Sequence, residues 1–301
     1  MTRFHWSLLT LLFTSTFSLA QNSNQETLKL KDVQTKKTFK ENSEIKDIEL
    51  KAEAGAKTRW SMKASLGYSG PSLAEPLSDH RRNPDGRFTD VRTSLGGSVG
   101  LRYRLKTDTT LNMGTGISAI RPFHGIEQID TEDPYLSIDQ TYKAAEVQWY
   151  SKAFASMTTY DFYRRVEQFG SVGFSQSGRY FIPNTQWTLG LNASLTFFLY
   201  ERAYSKLHPH GASNYFAGIY PSLAYRLNEK WMLNTSSAFQ AYNRRREKDW
   251  GLWELSNVTQ RVGLGWGITR EIYFSPYVTF FWKDPTWKTS TFAFSTIFSV
   301  F

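Results

Sequence analysis

A chain of 301 residues that is 40% hydrophobic, with a mean hydropathy of −0.46, is too polar overall for a helical membrane protein. No apolar run reaches the roughly 18 residues a spanning helix needs, and the lack of cysteine excludes disulfides, thiolate metal sites, cysteine nucleophiles and cysteine-linked lipid. The net charge of +9 raises nucleic acid as a partner, but the first twenty residues point to another compartment.

Residues 1–20 carry Arg3, an apolar stretch Trp6–Phe17 and Ser18-Leu19-Ala20 before Gln21. That order predicts a secretory signal peptide cleaved after Ala20, so the chain is exported and no nucleic-acid partner is expected. Residues 21–56 are rich in Gln, Asn, Lys and Glu and hold too little apolar surface to offset the entropy of ordering. They predict a polar, flexible N-terminal tail with room for a short helix near Glu49–Ala54; a plug or docking segment is the alternative.

From residue 57 to residue 301 the pattern is β throughout. Trp60, Met62, Ala64, Leu66 and Tyr68 alternate with small or polar residues. Ser94–Ile120 is the clearest stretch. Leu95, Val99, Leu101 and Tyr103, then Leu111, Met113 and Ile117, occupy one face, while Ser, Gly, Arg and Asn occupy the other. A period of two puts successive side chains on opposite faces of a strand, and Lys106–Thr109 is short enough for a hairpin turn. Similar alternation runs through Val172–Ile182, Trp187–Leu199, Tyr215–Leu227, Trp231–Tyr242, Val258–Ile268, Ile272–Trp282 and Lys288–Phe301.

Two kinds of connection alternate along these strands. Those at Lys106–Thr109, Pro183–Gln186, Asn228–Lys230 and Arg270–Glu271 are tight. Those near 70–90, 122–140, 201–213 and 243–255 are long and charged. Long strands with tight turns at one end and long loops at the other predict an all-β, antiparallel transmembrane β-barrel. Tyr103, Tyr180, Trp187, Tyr225, Trp231 and Tyr273 cluster near the tight turns, as an interfacial girdle requires. A secreted β-sandwich would alternate in the same way, but its strands are usually shorter.

The chain ends on Phe301, closing a strand with Phe292, Phe294, Phe298 and Val300 on one face. In this it resembles Gram-negative outer-membrane β-barrel proteins, whose last strand ends in phenylalanine. The resemblance implies an outer-membrane location among outer-membrane lipid and lipopolysaccharide, and recognition of the last strand by the barrel assembly machinery. It departs at Ser295 and Ser299, where apolar residues are usual, which leaves the facing of the last strand open. With both termini periplasmic, parity requires either no strand or a pair within 122–168. A structureless loop of that length is unusual and Ala145–Met157 looks strand-like, so twelve strands are expected, with ten as the alternative.

In such a barrel the polar face lines the lumen. Arg102, Arg104 and Arg261 with Asn112, Asn192, Asn234 and Gln240 are the lumen-lining candidates. Inward glycines (Gly96, Gly100, Gly114, Gly116, Gly190, Gly263, Gly265 and Gly267) predict free lumen volume. Twelve strands fall between the packed eight and the water-filled sixteen, so a porin-like passage for small polar or anionic solutes is expected. The alternative is a structural or adhesive barrel in which the glycines relieve curvature and the arginines pair with acids.

The basic loops, Arg81, Arg82 and Arg87, then Arg244, Arg245, Arg246 and Lys248, are candidates for contact with lipopolysaccharide phosphate, since Arg binds phosphate bidentately. Tyr160–Arg165 is a further aromatic-basic stretch. A lipid-modifying enzyme is the third possibility. His208, His210 and Ser213 are suggestive, but no orienting residue completes a triad. Asp130 and Asp133 offer paired aspartates without an identified histidine partner. No catalytic residue, metal or cofactor is expected.

Overall fold

A computed structural model describes residues 45–82, 90–201, 213–244, 254–255 and 257–300. Twelve antiparallel strands close into a barrel. In chain order they are β1 (Trp60–Ser72), β4 (Ser94–Arg104), β5 (Thr109–Ile120), β7 (Tyr135–Ala144), β8 (Val147–Met157), β9 (Gln168–Phe181), β10 (Trp187–Tyr200), β11 (Ser213–Arg226), β12 (Trp231–Arg244), β14 (Thr259–Gly267), β15 (Ile272–Phe281) and β16 (Thr291–Val300). Each pairs with its neighbour in sequence, and β1 closes on β16 from Met62↔Val300 to Tyr68↔Phe294. Short pieces decorate the loop end. They are the hairpin β2 (His80–Arg82) and β3 (Asp90–Arg92), β6 (Gln128–Thr131) along the end of β5, and β13 (Glu254–Leu255). Among the described residues there are also two short helices, α1 (Ile48–Ala54) and α2 (Asp161–Arg165).

The alternation read along the sequence is the alternation of the two barrel faces. Leu101, Leu111, Met113, Ile117, Leu189, Leu191 and Phe197 are exposed on the outside, whereas Arg102, Asn112, Ser137 and Thr188 are buried inside. A continuous apolar outer face on a closed sheet is stable only against hydrocarbon, where every strand hydrogen bond must be made internally. At the tight-turn end the outer face carries aromatic pairs. Trp60 meets Tyr103 at 4.7 Å, Trp187 meets Tyr225 at 4.8 Å, and Trp231 stacks on Trp266 at 4.8 Å. Tyr273 does not join this girdle. Its parity turns it inward, where it is buried against Ala52 and Met232.

The hairpin within 122–168 is β7–β8, turning through Ala145 and Glu146. Both turn residues have positive φ, 50° and 62°, a conformation that usually recruits Asn or Gly; no turn residue marks it in the sequence. The last strand is also settled. Ala293 and Ser299 are buried inside while Phe292 is exposed outside. The serines that depart from the usual pattern therefore face the lumen, and the phenylalanine face meets lipid.

Candidate functional site

The expectation of a flexible tail over residues 21–56 fails for residues 45–56. They enter the barrel at its tight-turn end and form α1 inside it. Asp47 caps the helix, its side chain accepting from the Leu50 N–H at 2.9 Å, and Glu49 complements the positive end of the dipole. Gly55 ends it with φ 71°. A seven-residue helix is unstable alone in water, so the surrounding wall must hold it.

That wall contacts α1 and its flanks from several strands. The Gln148 side chain of β8 accepts from the N–H groups of Lys46 and Asp47 at 2.8 and 3.1 Å. Arg179 of β9 donates to Glu49 at 3.2 Å, and Lys63 of β1 pairs with Glu53. At the helix C-terminus Arg102 Nη2 donates to Ala54 O at 3.0 Å. Arg104 Nη2 donates to Ala54 O at 2.8 Å and to Ala56 O at 2.6 Å. The Ala56 N–H donates to Ser299 Oγ at 3.1 Å. Apolar contacts complete the seat, Ile45 and Leu50 on Tyr150, and Ala52 with Ile48 on Met232 and Tyr273. Helix side chains span about 10–12 Å, and contacts from β1, β4, β8, β9, β12, β15 and β16 hold this one inside the lumen.

The two helix carboxylates respond differently to this environment. Burial pushes the Glu49 carboxyl above the ordinary range, and Arg179 offsets that only in part. Burial also opposes the charge of Glu53, but Lys63, helped by Lys152 and Arg102, outweighs it and holds Glu53 below the ordinary range.

The predicted lumen-lining residues divide by height. Arg102, Arg104 and Asn112 point inward but lie beneath α1. Arg102 is 1% exposed, and Asn112 Nδ2 donates to Ser137 Oγ at 3.3 Å. Asn234 also lies at the helix level, its Nδ2 donating to Tyr273 OH at 3.5 Å, whereas Asn192, Gln240 and Arg261 line the lumen toward the loops and are incompletely buried. Gln240 donates to Tyr220 OH at 3.0 Å, and the Arg261 guanidinium lies 5.0 Å from the Tyr277 ring centre. The inward glycines do not simply leave free volume. A Cβ at Gly267 would lie 2.5 Å from Ile48 of α1, and one at Gly100 would lie 3.0 Å from Tyr135 OH. A Cβ at Gly116 would overlap the Glu132 carboxylate. These glycines are seats for the helix and for large inward side chains.

The basic-loop candidates also divide. Arg81 Nε donates to the Arg92 carbonyl at 3.4 Å, and Arg82 lies 5.7 Å from the centre of the Phe281 ring on the inner wall. Both contacts are with the protein's own loop end. Arg244 ends β12, while Arg87, Arg245, Arg246 and Lys248 lie outside the described residues, as do His208 and His210. Among the described residues no group of His, Asp and Glu is arranged to hold a metal. Lys63, Gln148 and Arg179 hold the helix without being among the lumen-lining candidates, and Ser299, marked in the sequence only as a departure in the last strand, joins them. Strand parity already put Lys63 and Arg179 on the polar face; what was missing was a reason to expect a partner there.

Neither a protein-family model nor a curated protein sequence matches the chain. Solved structures do. The COG4313 outer membrane channel from Pseudomonas putida F1 is 10% identical and superposes with a TM-score of 0.51, covering 82% of this chain and 97% of that one. The NanC porin is 8% identical over 80% of this chain and 98% of its own, with a TM-score of 0.45. The KdgM porin is 6% identical over 79% and 98%, with a TM-score of 0.43. The similarity to the Pseudomonas channel is one of fold. This chain shares with it a closed antiparallel β-barrel, here with an apolar outer belt.

Proposed function

We propose that the barrel is a passive, porin-like channel for small polar solutes and that α1 is the element that closes it. The observation that carries this is the contrast along the inner wall. Toward the loops Asn192, Gln240 and Arg261 present accessible polar groups, whereas at the tight-turn end α1 and its polar partners occupy the bore. With the tight turns periplasmic, the closure lies at the periplasmic mouth. The contacts of α1 are mostly hydrogen bonds and ion pairs, which water can replace.

The preference for anions belongs to the open state in this proposal. While α1 is seated, Arg102 and Arg104 donate to its carbonyl groups. When it leaves, both guanidinium groups face the passage. Export by the leader 1–20, capture of the last strand by the assembly machinery and phosphate contact by the 244–248 loop are parts of the same proposal. The occupied bore favours a second reading, a sealed barrel that acts as a surface scaffold.

The absence of cysteine makes the test direct. Ala52→Cys with Met232→Cys pins α1 to the wall at a point of existing contact. In planar bilayers the oxidised double variant stays closed, the reduced one opens intermittently, and a chain lacking residues 21–56 conducts steadily with chloride preferred. A correctly folded barrel that stays silent without residues 21–56 rejects the channel and leaves the scaffold.

A further inference from the structure

Between α1 and the loops, on the β5–β8 side of the lumen, lies a recess of about 440 Å³ walled by Tyr135, Phe154, Tyr160 and Tyr163, with Glu132 and Lys152. Its size falls within the range of small-molecule sites. The chain builds it by a kink in one strand path. β6 follows the end of β5, the Glu132 N–H donates to Gly116 O at 2.8 Å, and Asp133-Pro134 precede the start of β7 at Tyr135. This hydrogen bond aligns Glu132 with inward-facing Gly116, so its side chain lies over Gly116 and Gly96, with Oε1 3.2 Å from where a Gly96 Cβ would be.

The carboxylates around the recess are not equivalent. Asp133 accepts from the Thr159 N–H at 2.7 Å and from its hydroxyl at 3.3 Å, and Asp130 accepts from Gln128 at 2.6 Å. The Glu132 carboxylate has neither a hydrogen bond nor an ion pair among the described residues. Burial, with the Asp133 charge added, pushes its carboxyl above the ordinary range, and no cation offsets that. The ammonium of Lys152 does not reach it. That ammonium lies 5.3 Å from the Tyr135 ring centre and 5.9 Å from that of Phe154. Two of the four rings thus already hold a cation on an aromatic surface. Tyr160 and Tyr163, whose ring centres are 5.7 Å apart, form a second aromatic pair at the mouth.

We propose that this recess binds small organic cations, an ammonium group on a compact apolar body, with Glu132 as the counter-charge and Tyr160 and Tyr163 as the ring surface. The site deepens the channel proposal and rests on it only for the solute's route; binding itself requires no open bore. Its charge preference is opposite to that of the arginines beneath α1, so an organic cation is held at the outer half and does not compete for them.

The test is isothermal titration of the refolded full-length chain in a neutral detergent with benzyltrimethylammonium. Benzyl alcohol and p-toluenesulfonate serve as the neutral and anionic matches. The cation binds about tenfold or more tightly than either match. Glu132→Gln removes about tenfold of that affinity, the scale of a charged partner, whereas Lys152→Met strengthens it. Heat-modifiable gel mobility verifies that each variant is folded. Equal affinity for all three probes, tighter binding of the sulfonate, or an unchanged affinity in Glu132→Gln overturns the site. A silent bilayer with normal titration rejects the channel alone; normal conductance without cation binding rejects the recess alone.

Discussion

The two halves of the lumen are built from the same strands and the same kinds of inward residue, yet they behave as different materials. At the tight-turn end polar side chains close on α1. Arg102, Arg104, Gln148, Arg179 and Lys63 each have a helix or flanking partner. At the loop end Arg261 rests on a tyrosine ring and the Glu132 carboxylate has no hydrogen-bond or ion-pair partner among the described residues. An arginine on a barrel wall is therefore not a selectivity element by position alone. What decides its role is whether something else in the chain occupies the space it points into.

The sharpest way to break the contrast is to remove a charged donor from each half. Arg104→Met deletes both hydrogen bonds from Nη2 to the helix end. With charge-assisted bonds at about 1.5–3 kcal/mol each, it unseats α1 by about 3 kcal/mol. Hydrogen exchange of the 48–54 amides then accelerates by about two orders of magnitude. Arg261→Met leaves that exchange at the wild-type rate and changes only the ion preference. Equal effects on exchange would erase the distinction between the halves.

Gly55→Ala is the next largest. The position has φ 71°, and the Arg102 guanidinium occupies the space its Cβ would need. The left-handed backbone alone costs about 1–2 kcal/mol for a residue with a Cβ. Trypsin cleavage after Lys51 appears in this variant under conditions where the wild type is protected.

Acidification sharpens the comparison without mutation. Glu49 has a raised carboxyl when α1 is seated, so the seat tightens as pH falls through that raised value. Glu53 has a lowered one, so its contribution is complete above the ordinary carboxylate range and is lost as pH falls through its seated value. Exchange of the α1 amides, corrected for intrinsic rate, passes through a minimum between the two. Glu49→Gln removes the upper limb and Glu53→Gln the lower; a single monotonic curve in wild type would contradict the opposed shifts. The smallest effect expected is that of Ser299→Ala, which removes one hydrogen bond to Ala56 N, about 1 kcal/mol, and leaves the barrel wall intact.

The barrel was legible because its signal is local and repeated. Leu101 and Arg102 differ by one position, and a strand sends them to opposite solvents; Leu111 and Asn112 do the same on the next strand. The β7–β8 hairpin was harder to read. Tyr135–Ala144 alternates, but Ala145-Glu146 turns with two residues that lack the usual preference for positive φ. Gly116 and Gly267 were read as empty volume because a glycine records only that no side chain is present. It does not record that Glu132 or Ile48 lies across it.

The sequence by itself determined the class of the molecule. Alternation, tight turns opposite long loops, and aromatic strand ends require a barrel whose outside meets lipid, since those are properties of neighbouring residues and of the surrounding solvent. Only the tertiary structure decided what the inside does. Residues 45–56 mix apolar and charged side chains, and α1 is too short to be stable alone. Their order comes from partners as far off as Ser299, 243 positions from Ala56. Closing the barrel brings those partners to one level around the helix, and no window along the chain holds them together.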